Sequence, residues 1–306
     1  MIEPYNAIVR NYILVTDKNF ESKVVVKIDG GLGSQMWQYS LGRLASMKSG
    51  LPVFYDLSWY ESYGLDINKK YNREYMLEKV FPKIRIPQTD DVTTEIYRKY
   101  FNLYRNMRFN YEEKMMSSRD ARYLGGYYMN AEYIDSQGDS LRDEFTFGIQ
   151  LSEENRSMMS LIMSVPNSVA IHIRRGDYVG SVHDVTTPKY FIDAVRYISE
   201  HLSPEKAIFF VFSNGMELSR EILDGIDEEF IFVENNDNDK GLFDMFLMSQ
   251  CSHFIISNSS FSWWPAWLSK RSESKIVVMP DVWLRNERSS NRLSMAVKNW
   301  VSLGTH

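Results

Sequence analysis

Alternation between β-branched runs and stretches of helical period narrows what this chain can fold into more than any other feature. Val24-Val-Val-Lys-Ile28 reads as a strand that stops at Asp29 and Gly30-Gly-Leu-Gly33. Beyond the glycines, Trp37, Leu41, Leu44 and Ala45 recur at i, i+4, i+7 and i+8, one apolar helical face. Gly50 stands where a helix C′ residue belongs, and Pro52-Val-Phe-Tyr55 resumes extended structure. That succession is a βαβ unit. The second half repeats the alternation. Strands are expected at 169–173, 207–212, 230–233, 253–257 and 275–279. A helix from about Lys189 buries Phe191, Ala194, Val195, Ile198 and Leu202, and another carries Leu242, Met245, Phe246 and Ser249. Strands alternating with helices demand a parallel sheet covered on both faces, so the reading is α/β with two Rossmann-like halves and a cleft between them. Residues 60–165 are rich in Tyr, Arg and Glu; helices are expected around Asp91–Phe109 and Ser152–Met163, with a strand at Tyr123–Tyr128. Pro166-Asn-Ser168 marks the expected boundary, giving an N-terminal extension at 1–22 and domains at 23–165 and 166–306.

Charge and cysteine usage exclude several classes. The 35 Lys and Arg against 40 Asp and Glu leave a net charge of −5, and no basic block exceeds two residues, so no nucleic-acid footprint exists. The longest apolar run, Ala207-Ile-Phe-Phe-Val-Phe212, is far short of a bilayer span and reads as a buried strand. Met1-Ile-Glu-Pro-Tyr-Asn6 lacks a basic region ahead of an apolar stretch, so neither a signal peptide nor a transmembrane segment is expected. Cys251 is the only cysteine, which excludes an intrachain disulfide and points to a reducing compartment. The expected location is cytoplasmic, with peripheral association at the inner membrane left open.

In an open α/β sheet, ligands bind beyond the C-terminal ends of the strands. Three strand ends carry unusual residues. At the first, Gly31 and Gly33 let backbone approach a ligand, and the helix behind them offers its N-terminus to an anion; a ligand-free turn is the alternative. The loop is neither a Walker loop nor a dinucleotide fingerprint. At the second, His172-Ile-Arg174-Arg175-Gly-Asp177, the arginine pair suits a diphosphate, with Arg174 on the same side of the strand as His172. Asp177 fixes one guanidinium or accepts a proton; a surface ion-pair cluster is the alternative. At the third, Ser257-Asn258-Ser259-Ser260-Phe261-Ser262 precedes a helix, where capping needs only one hydroxyl. Asp237-Asn-Asp239 invites comparison with a metal motif, but it lacks the glycine and glutamate of a calcium loop and reads as a solvated connection. No metal is expected.

Taken together, Gly30-Gly-Leu-Gly-Ser-Gln-Met-Trp-Gln38, His172-Ile-Arg-Arg-Gly-Asp-Tyr178 and Ser257-Asn-Ser-Ser-Phe-Ser-Trp-Trp264 resemble the α-1,2-fucosyltransferases of glycosyltransferase family 11. Phe212-Ser-Asn-Gly-Met-Glu217 and Asp244-Met-Phe-Leu-Met-Ser249 match further segments, in family order, over residues 24 to 303. The resemblance implies a GT-B fold, two Rossmann-like domains facing each other across a cleft, the first acceptor-side and the second binding GDP-fucose. It implies GDP-β-L-fucose as donor, a β-galactoside oligosaccharide or glycan as acceptor, no required cofactor and an inverted, α-linked product. Arg174 and Arg175 would then carry catalysis with Asp177. His172, Arg174, Asp244, Asn258, Ser259, Ser260, Phe261, Ser213, Asn214, Gly31 and Gly33 would hold the donor, with Asp244 on the guanine. Ser34, Gln35 and Tyr128 would hold the acceptor. Three positions depart from the family: Ser34 replaces Asn, Met129 replaces Gln, and Pro265 replaces Gly, which requires the helix begun at Ser260 to kink or start late. Asp29, Asp177, His183 and Asp184 are the candidate bases. A fucosyltransferase of another linkage or with a protein acceptor, and a non-catalytic nucleotide-sugar-binding protein, are the alternatives.

Overall fold

The computed structural model describes residues 2–16, 21–62, 72–103, 112–174, 178, 180–236, 241–285 and 294–305. It divides into two compact units, Met1–Thr146 and Phe147–His306. Both are α/β and built on parallel sheets, as the alternation requires.

In the first unit, β1 (Val24–Lys27) lies between β2 (Val53–Asp56) and β3 (Arg122–Leu124), and both pairings are parallel. Val24, Val25 and Val26 are fully buried, consistent with a central strand covered on both faces. The helix Leu32–Ser49 comes after β1 and ends at Gly50, whose φ of 73° no β-carbon-bearing residue adopts readily and whose N–H donates to the Ser46 carbonyl. Gly42 on this helix faces Tyr55, and a β-carbon there would lie 2.7 Å from the Tyr55 hydroxyl. The helix Asp91–Tyr100 is capped by Asp90, which accepts from the Thr93 N–H. It ends at Tyr100, short of the expected Phe109: Phe101 is its C-cap and residues 101–103 are not helical, while 104–109 lie outside those described. β3 is shorter than the expected Tyr123–Tyr128 strand. Extended pairing stops at Leu124, and by Tyr128 the backbone has turned to a φ of 46°. The N-terminal extension contains a helix, Ile2–Thr16, whose Asn6 amide donates to the Lys99 carbonyl.

The second unit contains six parallel strands. They are β4 (Ser168–Ile173), β5 (Ile208–Ser213), β6 (Glu229–Phe232), β7 (His253–Ile255), β8 (Val277–Pro280) and β9 (Val301–Leu303). Their spatial order is β6-β5-β4-β7-β8-β9, the doubly wound order with a reversal between β4 and β7. Val169, Ile171 and Ile173 pack with Phe209, Val211, Ile255 and the buried face of the helix Pro188–Leu202. Trp263, Trp264 and Trp267 of the helix Ser260–Leu268 are buried together, with the Trp263 Nε1–H donating to the Met295 carbonyl. That helix starts at Ser260 despite Pro265, so the late start does not occur; Ser259 caps it, and the Ser269 N–H still reaches the Pro265 carbonyl.

The division falls ahead of the expected boundary at Pro166. The helix Glu153–Ser164 belongs to the second unit, because its residue Asn155 bonds to Asn235 and Asn236. Arg271 also ties it, donating to the carbonyls of Met163 and Val165. Pro166-Asn167 is only the turn that feeds β4.

Candidate functional site

The second and third motifs meet where the sheet of the second unit reverses. β4 ends at Ile173 and β7 at Ile255, and one buried hydroxyl joins the two strand mouths. Ser257 Oγ donates to the His172 carbonyl at 2.6 Å and accepts the Arg174 N–H at 3.1 Å. Arg174 is half-buried, with its guanidinium carbon 4.9 Å from the centre of the Tyr178 ring. Tyr178 stacks in turn on His183. A cationic fork is thereby presented beside the switch point, where this topology binds ligands. Arg175, Gly176 and Asp177 lie outside the described residues.

The hydroxyl cluster divides its labour. Ser259 Oγ accepts the Phe261 N–H at 3.3 Å as the helix cap, which leaves its proton to donate. Ser260 opens the helix and is partly exposed. Asn258 is buried; its amide donates to the carbonyls of His183 and Trp283, and its Oδ1 has no hydrogen-bond partner among the described residues. Phe261 bridges two expected contacts. Its ring lies 5.3 Å from the His172 ring, and a β-carbon on Gly241 would lie 3.5 Å from it. Gly241 opens the helix Gly241–Ser249, which carries Asp244 in its first turn. His172, Arg174, Ser259, Ser260, Phe261 and Asp244 are therefore gathered at one end of one sheet.

Asp244 is the most perturbed acid of this group. Burial raises its pKa to about 7, opposed by a 2.8 Å hydrogen bond from the Asn236 amide. Sequence reasoning missed Asn236, which bonds to it, and Asn155 and Asn235, which are linked to Asn236 through the Asn155 amide. The signal available was the Asn235-Asn236 pair just beyond a strand, where polar residues merit attention.

The Ser213 hydroxyl donates to the Ile173 carbonyl and accepts the Gly215 N–H, so it ties β5 to β4, while the single Ser219 hydroxyl proton is shared between Ser213 Oγ and the Gly215 carbonyl. Asn214 is exposed beside it.

The glycine motif lies in the first unit. Gly30 has a φ of 74°, and Gly31 precedes the first turn of the helix Leu32–Ser49. Gly33 is buried and Ser34 half-buried. Two acceptor-site expectations fail. The Gln35 side chain is buried, donating to the carbonyls of Gly30 and Glu74 and accepting the Met76 N–H; it fastens the glycine turn to the 74–76 segment. Tyr128 is fully buried, and it is the Tyr127 hydroxyl that would lie 3.7 Å from a β-carbon on Gly30.

Two candidate bases are committed to cations. Asp29 pairs with Lys27 at 2.6 Å and accepts from Gln38, while Asp184 pairs with Arg285 at 3.3 Å and accepts the Gly180 N–H. Among the described residues no three His, Cys, Asp or Glu side chains cluster as a metal would require; Asp237 and Asp239 lie outside them. No helix of the described residues is long and apolar enough to cross a membrane.

Comparison with known proteins finds a match over residues 11–304 to the family model described as glycosyl transferase family 11. An Alpha-1,2-colitosyltransferase of Escherichia coli is 30% identical over 302 residues, covering 92% of this chain and 99% of that protein. The O-antigen biosynthesis glycosyltransferase WbnK, also of Escherichia coli, is 26% identical, covering 90% of this chain and 99% of its own length. A Galactoside alpha-(1,2)-fucosyltransferase 1 of Saimiri boliviensis boliviensis is 28% identical over 158 residues, 48% of this chain and 42% of that one. Among solved structures, the fucosyltransferase NodZ from Bradyrhizobium superposes with a TM-score of 0.48 at 13% identity, covering 81% of this chain and 94% of that one.

Proposed function

The chain belongs to glycosyl transferase family 11, and from that premise we propose that it transfers L-fucose from GDP-β-L-fucose to the 2-hydroxyl of a terminal β-galactose. The product is α-1,2-linked with inversion at the anomeric carbon. The observation that carries this reading is the Ser257 link, which holds Arg174 beside the hydroxyl-lined mouth of the helix Ser260–Leu268.

Departure of GDP builds negative charge on the β-phosphate while the sugar becomes oxocarbenium-like. The Arg174 fork, the Ser259 and Ser260 hydroxyls and the helix N-terminus answer that charge, and they hold it more tightly in the transition state than in the ground state. Asp244 takes the guanine edge as an acceptor, in the same helical turn as Gly241, which lies against the Phe261 ring that also touches His172. On this reading the second unit binds the donor nucleotide, and the first, which carries Ser34, binds the acceptor. The galactose hydroxyl must lose a proton. Asp29 and Asp184 each pair with a cation, and the base we propose for it is Asp177.

A second reading exchanges the donor for GDP-colitose, favoured by the colitosyltransferase relative at 30% identity. Colitose lacks the 3-hydroxyl that fucose carries, so the two donors differ at one polar group. The deciding experiment offers each donor with lactose, lacto-N-biose and N-acetyllactosamine, tracks GDP release, and determines product linkage by NMR. Turnover with GDP-fucose and an α-1,2 product supports the first reading. Turnover with GDP-colitose alone supports the second, and donor binding without GDP release in the presence of any acceptor removes the enzymatic reading.

A further inference from the structure

The Asp244 carboxylate is held by a chain of amides that begins on a different helix. Asn155, in the first turn of the helix Glu153–Ser164, is buried, and every position of its amide is used. Its Nδ2 donates to Asn236 Oδ1 at 2.8 Å and to Ser152 Oγ, the cap of its own helix. Its Oδ1 accepts from Asn235 Nδ2 at 2.6 Å and from Asn236 Nδ2 at 3.0 Å. Asn155 and Asn236 thus exchange two hydrogen bonds as a closed amide pair. The remaining N–H of Asn236 goes to Asp244 Oδ1. A carboxylate only accepts, so Asp244 fixes which end of Asn236 faces it, and the reciprocal pair passes that orientation on to Asn155. Asn235 keeps one N–H beyond its bond to Asn155, and the larger surplus of the cluster is in acceptors. The second Asp244 oxygen takes no hydrogen bond among the described residues, and neither does the buried Asn235 Oδ1.

Such a surplus matches a base edge made of donors. Guanine presents an N1–H and a 2-amino group side by side, whereas hypoxanthine presents the N1–H alone. We propose that Asn236, braced by Asn155, is a positioning residue that holds the Asp244 carboxylate as a charged acceptor and thereby sets a preference for guanine over hypoxanthine nucleotides. The proposal rests on the reading that Asp244 takes the guanine edge. Burial pushes the Asp244 pKa up to about 7, and the Asn236 hydrogen bond works against it, so losing that bond raises the pKa further. On the packed elements, the charged side chains are Glu153, Glu154 and Arg156 of the helix Glu153–Ser164; the helix Ser260–Leu268 has none. Glu234, exposed and paired with Arg220, is the nearest charge in sequence among the described residues on the strand side.

The test measures GDP and IDP affinity by calorimetry from pH 5.5 to 8 on the full chain and its variants. The two nucleotides share their phosphate titration, so the affinity ratio reports the base edge. The wild type is expected to prefer GDP, with the preference growing as Asp244 ionises. Asn236→Leu should lower GDP affinity at neutral pH by about tenfold, the scale of a lost hydrogen bond to a charged group. It should also move the midpoint of the GDP/IDP ratio to higher pH. Asn155→Ala should shift it the same way by less. Should Asn236→Leu fail to fold, Asn236→Ser carries the same expectation. If Asp244→Asn abolishes the preference while the Asn236 and Asn155 variants leave ratio and midpoint unchanged, the positioning role is overturned and the guanine reading stands. If Asp244→Asn keeps the wild-type preference, or the wild type has none, the guanine reading itself falls.

Discussion

Arg174 and Asp244 are opposite cases of charge at one sheet end. Arg174 is anchored by its backbone N–H and backed by an aromatic ring, with its planar fork matched to phosphate oxygens. Arg174→Ala should cost about a hundredfold or more in turnover, measured as GDP release at saturating donor. Arg174→Lys should also be slow, because a point charge does not replace the bidentate fork. Near-normal turnover in either variant takes Arg174 out of the mechanism. Asp244 costs stability. Its folded pKa of about 7 lies above the ordinary carboxylate value, so between roughly pH 4 and pH 7 the folded state keeps a proton that the unfolded state has lost. Stability contributed by this group therefore falls as pH rises through that window and levels off above it. Asp244→Asn, which still accepts from Asn236, should melt higher than wild type at pH 8, with the margin shrinking toward pH 5. The slope is at most about 1.4 kcal/mol per pH unit. Melting curves that run parallel at every pH contradict it. Arg174 is legible in sequence as an arginine at a strand end. Asp244 is legible only through the family resemblance, since nothing in a helix spelled Gly241-Leu-Phe-Asp-Met-Phe distinguishes a buried acid from a solvated one. The asparagines around it are silent for the same reason: their meaning lies in partners some eighty residues away.

Elements are more legible in the sequence than their ends. The strand–glycine–helix–strand opening and the strands of the second half emerge from periodicity, because a buried parallel strand must be apolar on both faces. β9 escapes because Val301-Ser-Leu303 is too short and too mixed to carry a period. Gln35 and Tyr128 mislead because a motif identifies a turn without saying which side chains build it and which look out of it. In this turn Gln35 satisfies three backbone groups and Tyr128 is core. The helix Leu32–Ser49 gives a test in which packing and propensity disagree. Gly42→Ala would gain up to about 1 kcal/mol of helix propensity. The new β-carbon would meet the rigid Tyr55 ring, which is buried and bonded through its hydroxyl to the Tyr39 carbonyl. Overpacking of that kind costs about 1–3 kcal/mol, so the net effect in chemical denaturation should be destabilising. A stabilised variant would mean that the tyrosine gives way freely.

At the scale of the whole molecule, the division at Thr146/Phe147 rather than Pro166 has functional content. Each unit has buried apolar clusters of its own, and the second gathers every described donor-site candidate except Gly31 and Gly33. A fragment of residues 147–306 should fold cooperatively and bind GDP within about tenfold of the full chain. A fragment of residues 166–306 keeps the sheet but loses Asn155, and should bind GDP more weakly and discriminate less against IDP. Equal binding by the two fragments would show that the helix Glu153–Ser164 is only a cover. One hydroxyl, that of Ser257, laces together the mouths of two strands that the chain visits more than eighty residues apart. The proposed diphosphate cradle is thus braced by the second unit's own hydrogen bonds. A change at this one position would therefore reach both strand mouths at once, whichever sugar the proposed nucleotide donor carries.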